Sequence, residues 1–446
     1  MRLIANSVTT RERGFACAQP RTTKDADVSG TALREQYSQI CHQSLNDGDL
    51  SVTPPQLKVG LLTGGQDRHY AFGLAMALIS ENVFLDVIGS DSVDGPEMHG
   101  SHQLRFLNLH GSQQNASVAI RIRRILVCYA KLIRYAATAK PKIFHILWNN
   151  KVHLFDRTLL MLYYKLLGKK IVFTAHNVNA GRRDSKDTLL NRLTLKFQYD
   201  LADHIFVHTK KMKDELLDRF QVDETAVTII PYGINNAVPD TDLTSAEAKQ
   251  RLGIRDGEKT ILFFGAIKPY KGLEYLVAAF QKVVRVQGKC RLIIAGERKK
   301  GYEEYLNKVQ QMIARDCSCD QVIQKIEFIP DEETELYFKA ADVAVLPYTE
   351  IFQSGILFLA YGFGLPVIAT AVGSLGEDII EGKTGFVCKP RDADDLAIAI
   401  QRYFDSALFR ELELRRQEIR DYALLRHSWQ AVGELTRNVY LGLLGR

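Results

Sequence analysis

Four short stretches of this 446-residue chain carry residues whose types and spacing could do chemistry. In Gly265-Ala266-Ile267-Lys268-Pro269-Tyr270-Lys271-Gly272, two lysines stand between a strand-like run and a helix-like run. A lysine normally favours a helix C-terminus, because the N-terminal end of the dipole is already positive. Lys268 and Lys271 crowding a helix start make sense if an anion such as a diphosphate neutralises them. The alternative is a pair of solvated lysines. Gln353-Ser354-Gly355 opens a second helix, with Ser354 as its expected N-cap. The N–H groups of such a helix start bind phosphate oxygens, and Glu350 just before it could accept from sugar hydroxyls. Gly64-Gly65 follows a strand-like run directly; it is either a loop open to an acceptor or a tight strand–helix turn. His176, in Phe173-Thr174-Ala175-His176-Asn177, ends another strand. It is either a structural histidine or a hydrogen-bond donor to a hydroxyl or leaving-group oxygen.

These residues need a scaffold, and the hydrophobic pattern supplies one. Short apolar runs alternate with helical segments: Leu57–Leu62, Phe84–Ile88, Leu104–Leu109, Ile143–Leu147, Ile171–Ala175, Ile205–His208 and Val227–Ile230 read as strands. After Pro231-Tyr232-Gly233 the alternation restarts, with strands over Thr260–Phe264, Leu292–Ala295, Ile326–Ile329, Val343–Leu346 and Val367–Ala369. Alternating strands and helices predict parallel sheets with crossover helices. The expected fold is therefore α/β, two Rossmann-like doubly wound domains facing a cleft, with ligands outside the carboxyl ends of the strands. The boundaries read as a polar, loosely ordered extension over 1–55, with a short helix near Ala32–His42, an acceptor-side domain over 56–235 and a donor-side domain over 236–427. A final helix over 428–446 is free to pack back on the first domain. Ile329, at a strand end, joins Lys268, Glu350, Gln353, Ser354 and Gly355 as an expected donor-side residue.

Composition narrows the function classes. With 46% hydrophobic and 25% charged residues, the chain reads as an ordinary globular enzyme. No run reaches the roughly 18 apolar residues of a membrane span, and the N-terminus has no signal-peptide core, which argues for a cytoplasmic protein. The seven cysteines are scattered and read as free thiols. The net charge of +6 is unevenly placed: from Met98 to Phe155 there is no Asp or Glu, but there are nine Lys/Arg. Five of these, Arg121, Arg123, Arg124, Lys131 and Arg134, share the apolar-rich helix Val118–Ala137 and predict a basic amphipathic element at an anionic membrane surface. A merely solvated helix face is the alternative. The patch lacks the aromatic interleaving of a nucleic-acid module, so no nucleic-acid partner is expected.

A cationic, N–H-rich pocket in the second half, facing a histidine in the first, has the layout of a sugar-nucleotide transferase. Lysines and helix dipoles can stabilise a departing diphosphate. No D-x-D metal site is in a suitable context, so neither metal nor cofactor is expected.

From about Lys58 to Tyr440 the chain resembles a family 4 glycosyltransferase of the GT-B fold. The resemblance rests on Tyr270-Lys271-Gly272-Leu273, Ala341 to Tyr348, Gln353-Ser354-Gly355, Gly364-Leu365-Pro366-Val367-Ile368-Ala369-Thr370 and Glu381-Gly382-Lys383-Thr384-Gly385-Phe386, in family order. Gln-Ser-Gly marks a subgroup. The resemblance implies a UDP- or GDP-sugar on the second domain, a lipid-linked or polysaccharide acceptor on the first, and retention of configuration. It also implies Lys271 on the donor phosphates and His176 near the transferred sugar. The chain departs from the family pattern twice. Phe358 stands where many members carry a second Glu, eight positions after Glu350, and Ala266 stands where an Arg is frequent; Lys268 could replace that charge. A sugar-nucleotide epimerase, a glycogen-synthase-like enzyme and a non-catalytic binding subunit share the same expected fold.

Overall fold

The computed structural model describes residues 56–446 except 66, 113–116, 184–186, 235–237 and 319. The extension over 1–55, its expected helix and the boundary near 235 lie outside the described residues.

Two parallel sheets organise the chain. The first contains β1 (Lys58–Leu62), β2 (Phe84–Gly89), β3 (Leu104–Asn108), β4 (Ile143–Ile146), β5 (Lys170–Thr174), β6 (His204–Val207) and β7 (Val227–Ile229), in the order β3-β2-β1-β4-β5-β6-β7. The second contains β8 (Lys259–Phe264), β9 (Cys290–Ala295), β10 (Val322–Lys325), β11 (Val343–Leu346), β12 (Val367–Thr370) and β13 (Gly385–Cys388), in the order β10-β9-β8-β11-β12-β13. Most of these strands are buried along almost their whole length, because helices cover both faces of a parallel sheet. In the first half the helices are α1 (Arg68–Ser80), α2 (Val118–Thr138), α3 (Met161–Leu166), α4 (Leu189–Leu201) and α5 (Lys210–Phe220). In the second they are α6 (Ser245–Arg251), α7 (Leu273–Gln287), α8 (Glu303–Asp316), α9 (Asp331–Ala340), α10 (Gly355–Gly362), α11 (Ala393–Asp405) and α12 (Leu412–Arg426), followed by α13 (Trp429–Leu443). The expected pair of doubly wound sheets is present. Each strand order reverses next to its first strand, opening a crevice between β1 and β4 and another between β8 and β11.

Three differences from the sequence reading have physical causes. The strand expected at Ile326–Ile329 lies earlier, at Val322–Lys325, where it pairs with Leu292–Ala295 of β9. Ile329 instead follows the strand end and packs into the second core. The helix expected over Arg157–Leu167 is interrupted by a π turn, Asp156–Leu160. There the buried Asp156 accepts hydrogen bonds from Tyr129 and Asn150, both at 2.9 Å. The region after β12 also holds β13, α11 and α12, which the sequence reading left without elements. α11 starts at Asp392, whose carboxylate accepts from the N–H groups of Asp394 and Asp395.

The last helix crosses back to the first half. α13 packs on α1, and Val432 and Tyr440 enter the core beneath β1 and β2. Trp429 donates from Nε1 to the carbonyl of Ile234 at 2.6 Å, tying the two chain crossings together. Buried His145 bridges Tyr440 (2.6 Å) and Thr174 (2.7 Å).

Candidate functional site

The residues singled out by sequence sit on loops at the carboxyl ends of β1, β5, β8 and β11. After β8, the chain makes a 3₁₀ turn at Pro269–Lys271 and enters α7 through Gly272. Gly272 has φ 64°, and a Cβ there would lie 2.0 Å from the Pro347 carbonyl oxygen. Only glycine lets this turn press against the β11 loop. The packing buries Lys271 to 7% exposure and sets its ammonium 3.8 Å from the centre of the Tyr348 ring. A cation over an aromatic face is attracted by the ring's electron-rich face. Lys268 is half-buried on the same turn, 5.8 Å from the Tyr270 ring.

Ser354 stands at the N-cap position of α10, but its side chain does not cap the helix. It donates instead to the Tyr348 hydroxyl at 3.3 Å, and Tyr348 thereby links the Gln-Ser-Gly turn to Lys271. Ile356 of α10 also lies against Gly265. The Ser354 hydroxyl therefore caps none of the first N–H groups of α10, although its carbonyl accepts from the Leu357 N–H at 3.1 Å, and a helix start without a side-chain cap is suited to an oxyanion. Gln353 donates to Asp378 at 3.2 Å. Glu350 lies on the same loop, and its charge contributes to the raised pKa of Glu215 on α5, behind the larger effect of burial.

On the first half, His176 stacks flat on Trp148, 4.2 Å between centroids at 6°, with Tyr70 edge-on at 4.5 Å. Its Nδ1 is 3.1 Å from Nε2 of His208, whose own Nδ1 faces the Ile230 carbonyl at 3.3 Å. A carbonyl only accepts, so His208 carries its proton on Nδ1 and its Nε2 accepts from His176 Nδ1. Burial pushes His208 down to about 4, and lowers His176 well below the usual imidazole range with the His208 charge as a further cause. Both rings are thus neutral at pH 7, and His176 Nε2 is left as a bare lone pair with no partner. In this tautomer Nε2 can accept a hydrogen bond, whereas the sequence reading expected a donor.

Gly64 has φ 60°, and a Cβ there would lie 2.6 Å from the Trp148 carbonyl oxygen, so the glycine loop lies against the strand end that carries Trp148. Gly65 offers its carbonyl to Ser90 and Ser92, each at 3.3 Å. Tyr232 joins the halves: its ring is 4.9 Å from His208 and stacks on Phe358 at 5.5 Å, and its hydroxyl lies beside Gly355. His69 of α1 pairs with Asp331 of α9 at 3.2 Å, and Lys211 of α5 with Glu377 at 3.1 Å. Tyr232 thus links His176 to Gly355, and Tyr348 links Ser354 to Lys271. Of the five basic residues of α2, Arg121, Arg123, Lys131 and Arg134 are exposed and Arg124 is half-buried; Arg121 and Arg124 also line a cavity beside Gly64.

Sequence reasoning missed His208, Trp148, Tyr232 and Asp378. His208 was findable, because it follows β6 as His176 follows β5. Asp378 carries no local signal.

Two Rossmann-like parallel sheets, of seven and six strands, each wound on both faces by helices, define the GT-B class. The comparisons agree and specify the family. Residues 63–238 match Glycosyltransferase Family 4, and residues 258–406 match Glycosyl transferases group 1. D-inositol 3-phosphate glycosyltransferase of Corynebacterium aurimucosum is 26% identical over 285 residues, 60% of this chain and 65% of that protein. Sucrose-phosphate synthase from Thermosynechococcus elongatus superposes with a TM-score of 0.70 at 20% identity, covering 87% of this chain and 99% of that one. Anabaena HepE, solved with UDP and glucose, gives 0.67 at 15% identity, with 86% and 99% covered. The chain belongs to the family 4 glycosyltransferases of the GT-B fold. It spans between 60% and 66% of the length of the first three curated relatives it matches.

Proposed function

We propose that this protein transfers a hexose-type sugar from a nucleotide-sugar donor to a lipid-linked or polysaccharide acceptor, in cell-surface or exopolysaccharide glycan synthesis. The observation that carries the reading is the placement of Lys271 and the uncapped start of α10 on one wall of the cleft, with the His176 relay on the other. In this reading Lys271, Lys268 and the α10 N–H groups take the donor diphosphate and stabilise its charge as it leaves. Gln353 and Glu350 receive the nucleotide or sugar hydroxyls. His176 Nε2 accepts from a hydroxyl of the transferred sugar and fixes its orientation. The chemistry then needs no metal, and transfer proceeds with retention. The UDP held by HepE favours a UDP-sugar over a GDP-sugar.

The acceptor reading draws on α2 and its neighbour. α2 exposes Ile122 and Leu126 (54% and 65%) among Arg123, Lys131 and Arg134. Leu159, Leu162 and Leu166 are exposed on the segment that Tyr163 ties to α2 through the Ile133 carbonyl. Among the described residues no helix is long and apolar enough to cross a membrane. A basic, apolar face suits peripheral docking on the anionic cytoplasmic surface, where a lipid-linked acceptor would be found.

The test is Lys271→Ala with labelled UDP- and GDP-sugars. Turnover should fall by about 10²–10³, the loss of one preorganised transition-state charge. Unchanged turnover removes Lys271 from the mechanism. An epimerised nucleotide formed without acceptor replaces transfer by epimerisation.

A further inference from the structure

The carboxyl end of one sheet meets that of the other through ion pairs at two places. His69 lies in the first turn of α1, which follows β1, and its Nε2 is 3.2 Å from Oδ1 of Asp331, which opens α9 after β10. Lys211 lies in the first turn of α5, which follows β6. Its ammonium is 3.1 Å from Glu377 and also donates to the Gly373 carbonyl, both beyond β12. In strand order the two contacts flank the site: β4 and β5 lie between β1 and β6, and β8 and β11 lie between β10 and β12. The loops after those four inner strands carry Trp148, His176, Lys271 and Ser354. The ion pairs are thus straps on either side of the loops that a ligand must reach and leave. They differ in chemistry. An ammonium–carboxylate strap does not titrate near neutral pH, whereas histidine is the side chain that does. His69 is 29% exposed and Asp331 32%, so solvent screens the pair only in part. Burial pulls the His69 pKa down, but the hydrogen bond and charge of Asp331, together with Asp67, outweigh burial and the like charge of Arg68, and the net direction is up from 6.5. The same bond and charge hold Asp331 below the usual carboxylate range. The His69 Nδ1 is shielded from solvent without a partner, so the hydrogen bond that favours the charged ring comes from the other half of the protein.

We propose that His69 and Asp331 are positioning residues that close the two halves over a bound ligand, as a strap that holds while His69 is protonated and slackens when it is neutral, with Lys211 as the strap that does not titrate. The sign follows from linkage. The paired ring has the higher pKa, so the strap contributes fully below about 6.5 and is lost as pH rises through the raised value. A part-exposed ion pair supports a change of up to about fivefold in a closing equilibrium. Closure is therefore favoured on the acid side of neutrality, with tighter ligand binding and slower release, and opening on the alkaline side. The strap goes beyond the transferase reading, and only its effect on turnover rests on that reading.

The test is small-angle scattering of the full chain with and without UDP at about pH 6 and about pH 8.5, with UDP affinity from calorimetry at both. Because the UDP phosphate also titrates, affinities are read as ratios of variant to wild type at each pH. The wild-type radius of gyration should be smaller at the lower pH. His69→Gln should show the larger radius at both values and bind UDP about two- to fivefold more weakly at the lower pH only. His69→Lys, a cation that does not titrate in this range, should keep the smaller radius at both. Lys211→Gln should loosen closure equally at both and leave the pH difference in place. Asp331→Asn added to His69→Gln should change nothing more, since both remove one interaction. The same pH dependence in wild type, His69→Gln and His69→Lys overturns the strap, and so does a wild-type radius that does not change with pH. If UDP does not bind, the transferase reading falls, and scattering without UDP still decides whether His69 closes the halves.

Discussion

Asp378 is buried at the end of the β12 loop, and burial pushes its carboxyl up to about 6 from the usual 3.8. The geometry gives the reason. His427 Nδ1 faces the Tyr232 carbonyl at 3.2 Å and must carry the proton, so its Nε2 is a lone pair. That lone pair lies 3.6 Å from an Asp378 oxygen and has no partner. Two acceptors face each other unless a proton sits between them. A carboxyl raised in the folded state contributes its full stability below the unfolded value and loses it as pH rises through the folded value. Taking 3.8 and 6, the cost is about 0.5 kcal/mol at pH 4, about 1.5 at pH 5 and about 3 at pH 8. Asp378→Asn keeps an oxygen for Gln353 and places an amide donor toward His427. It should stabilise the protein increasingly with pH, by about 3 kcal/mol at pH 8. With about 2.1 cal/mol/K per residue over about 390 residues, this is a rise in Tm of about 4 °C. Scanning calorimetry of both proteins from pH 4 to 8 measures it. A difference that does not change with pH refutes the reasoning, because an uncompensated structural change would give a constant offset.

Two further outcomes follow from contacts at the crossings and the relay. A Cβ on Gly73 would lie 2.2 Å from the Trp429 ring, so Gly73→Ala should destabilise by about 1–3 kcal/mol, read by urea unfolding. Trp429→Leu combined with it should recover part of the loss, and a single variant as stable as wild type would show that α13 is not seated on α1 as described. His208→Phe removes the acceptor that fixes the His176 tautomer; ¹⁵N spectra should change from one Nδ1-protonated form to a mixture, and kcat should fall more than donor KM changes. His208→Gln, which keeps an acceptor oxygen, should recover activity, and equal activity in all three would remove the relay from catalysis.

The sheets were legible because each strand is a short apolar run closed by Gly, Pro or a polar loop, and a parallel sheet buries both faces. The placement of Lys271 and Gln353-Ser354-Gly355 at helix starts was legible because charge and helix starts are local features. What local sequence could not carry is the pairing of distant segments. Asp378 matters through Gln353 and His427, 25 and 49 positions away. Ser354 looks like a cap in its own stretch, and only the fold brings Tyr348 to its hydroxyl. The direction of the His176 proton depends on Ile230, a backbone carbonyl that no residue pattern marks. The strand expected at Ile326–Ile329 was misplaced for the same reason, since β10 is fixed by its register on β9 rather than by the most apolar run.

Phe358 shows how the fold resolves a departure from the family pattern. Its side chain is fully buried, stacked on Tyr232 at 5.5 Å and set against His427 at 4.2 Å. A glutamate here would be desolvated between two rings and would face the unpartnered His427 lone pair, which disfavours its charge. The position therefore belongs to the packing that joins the two crossings, and in the proposed function any ribose contact falls to other residues. Gln353 is the one such residue on this loop with a free buried amide oxygen, its Oε1 having no partner while its nitrogen is held by Asp378. The buried carboxylate of this region is thus displaced from the helix to Asp378, where it orients Gln353 instead of gripping a ligand itself.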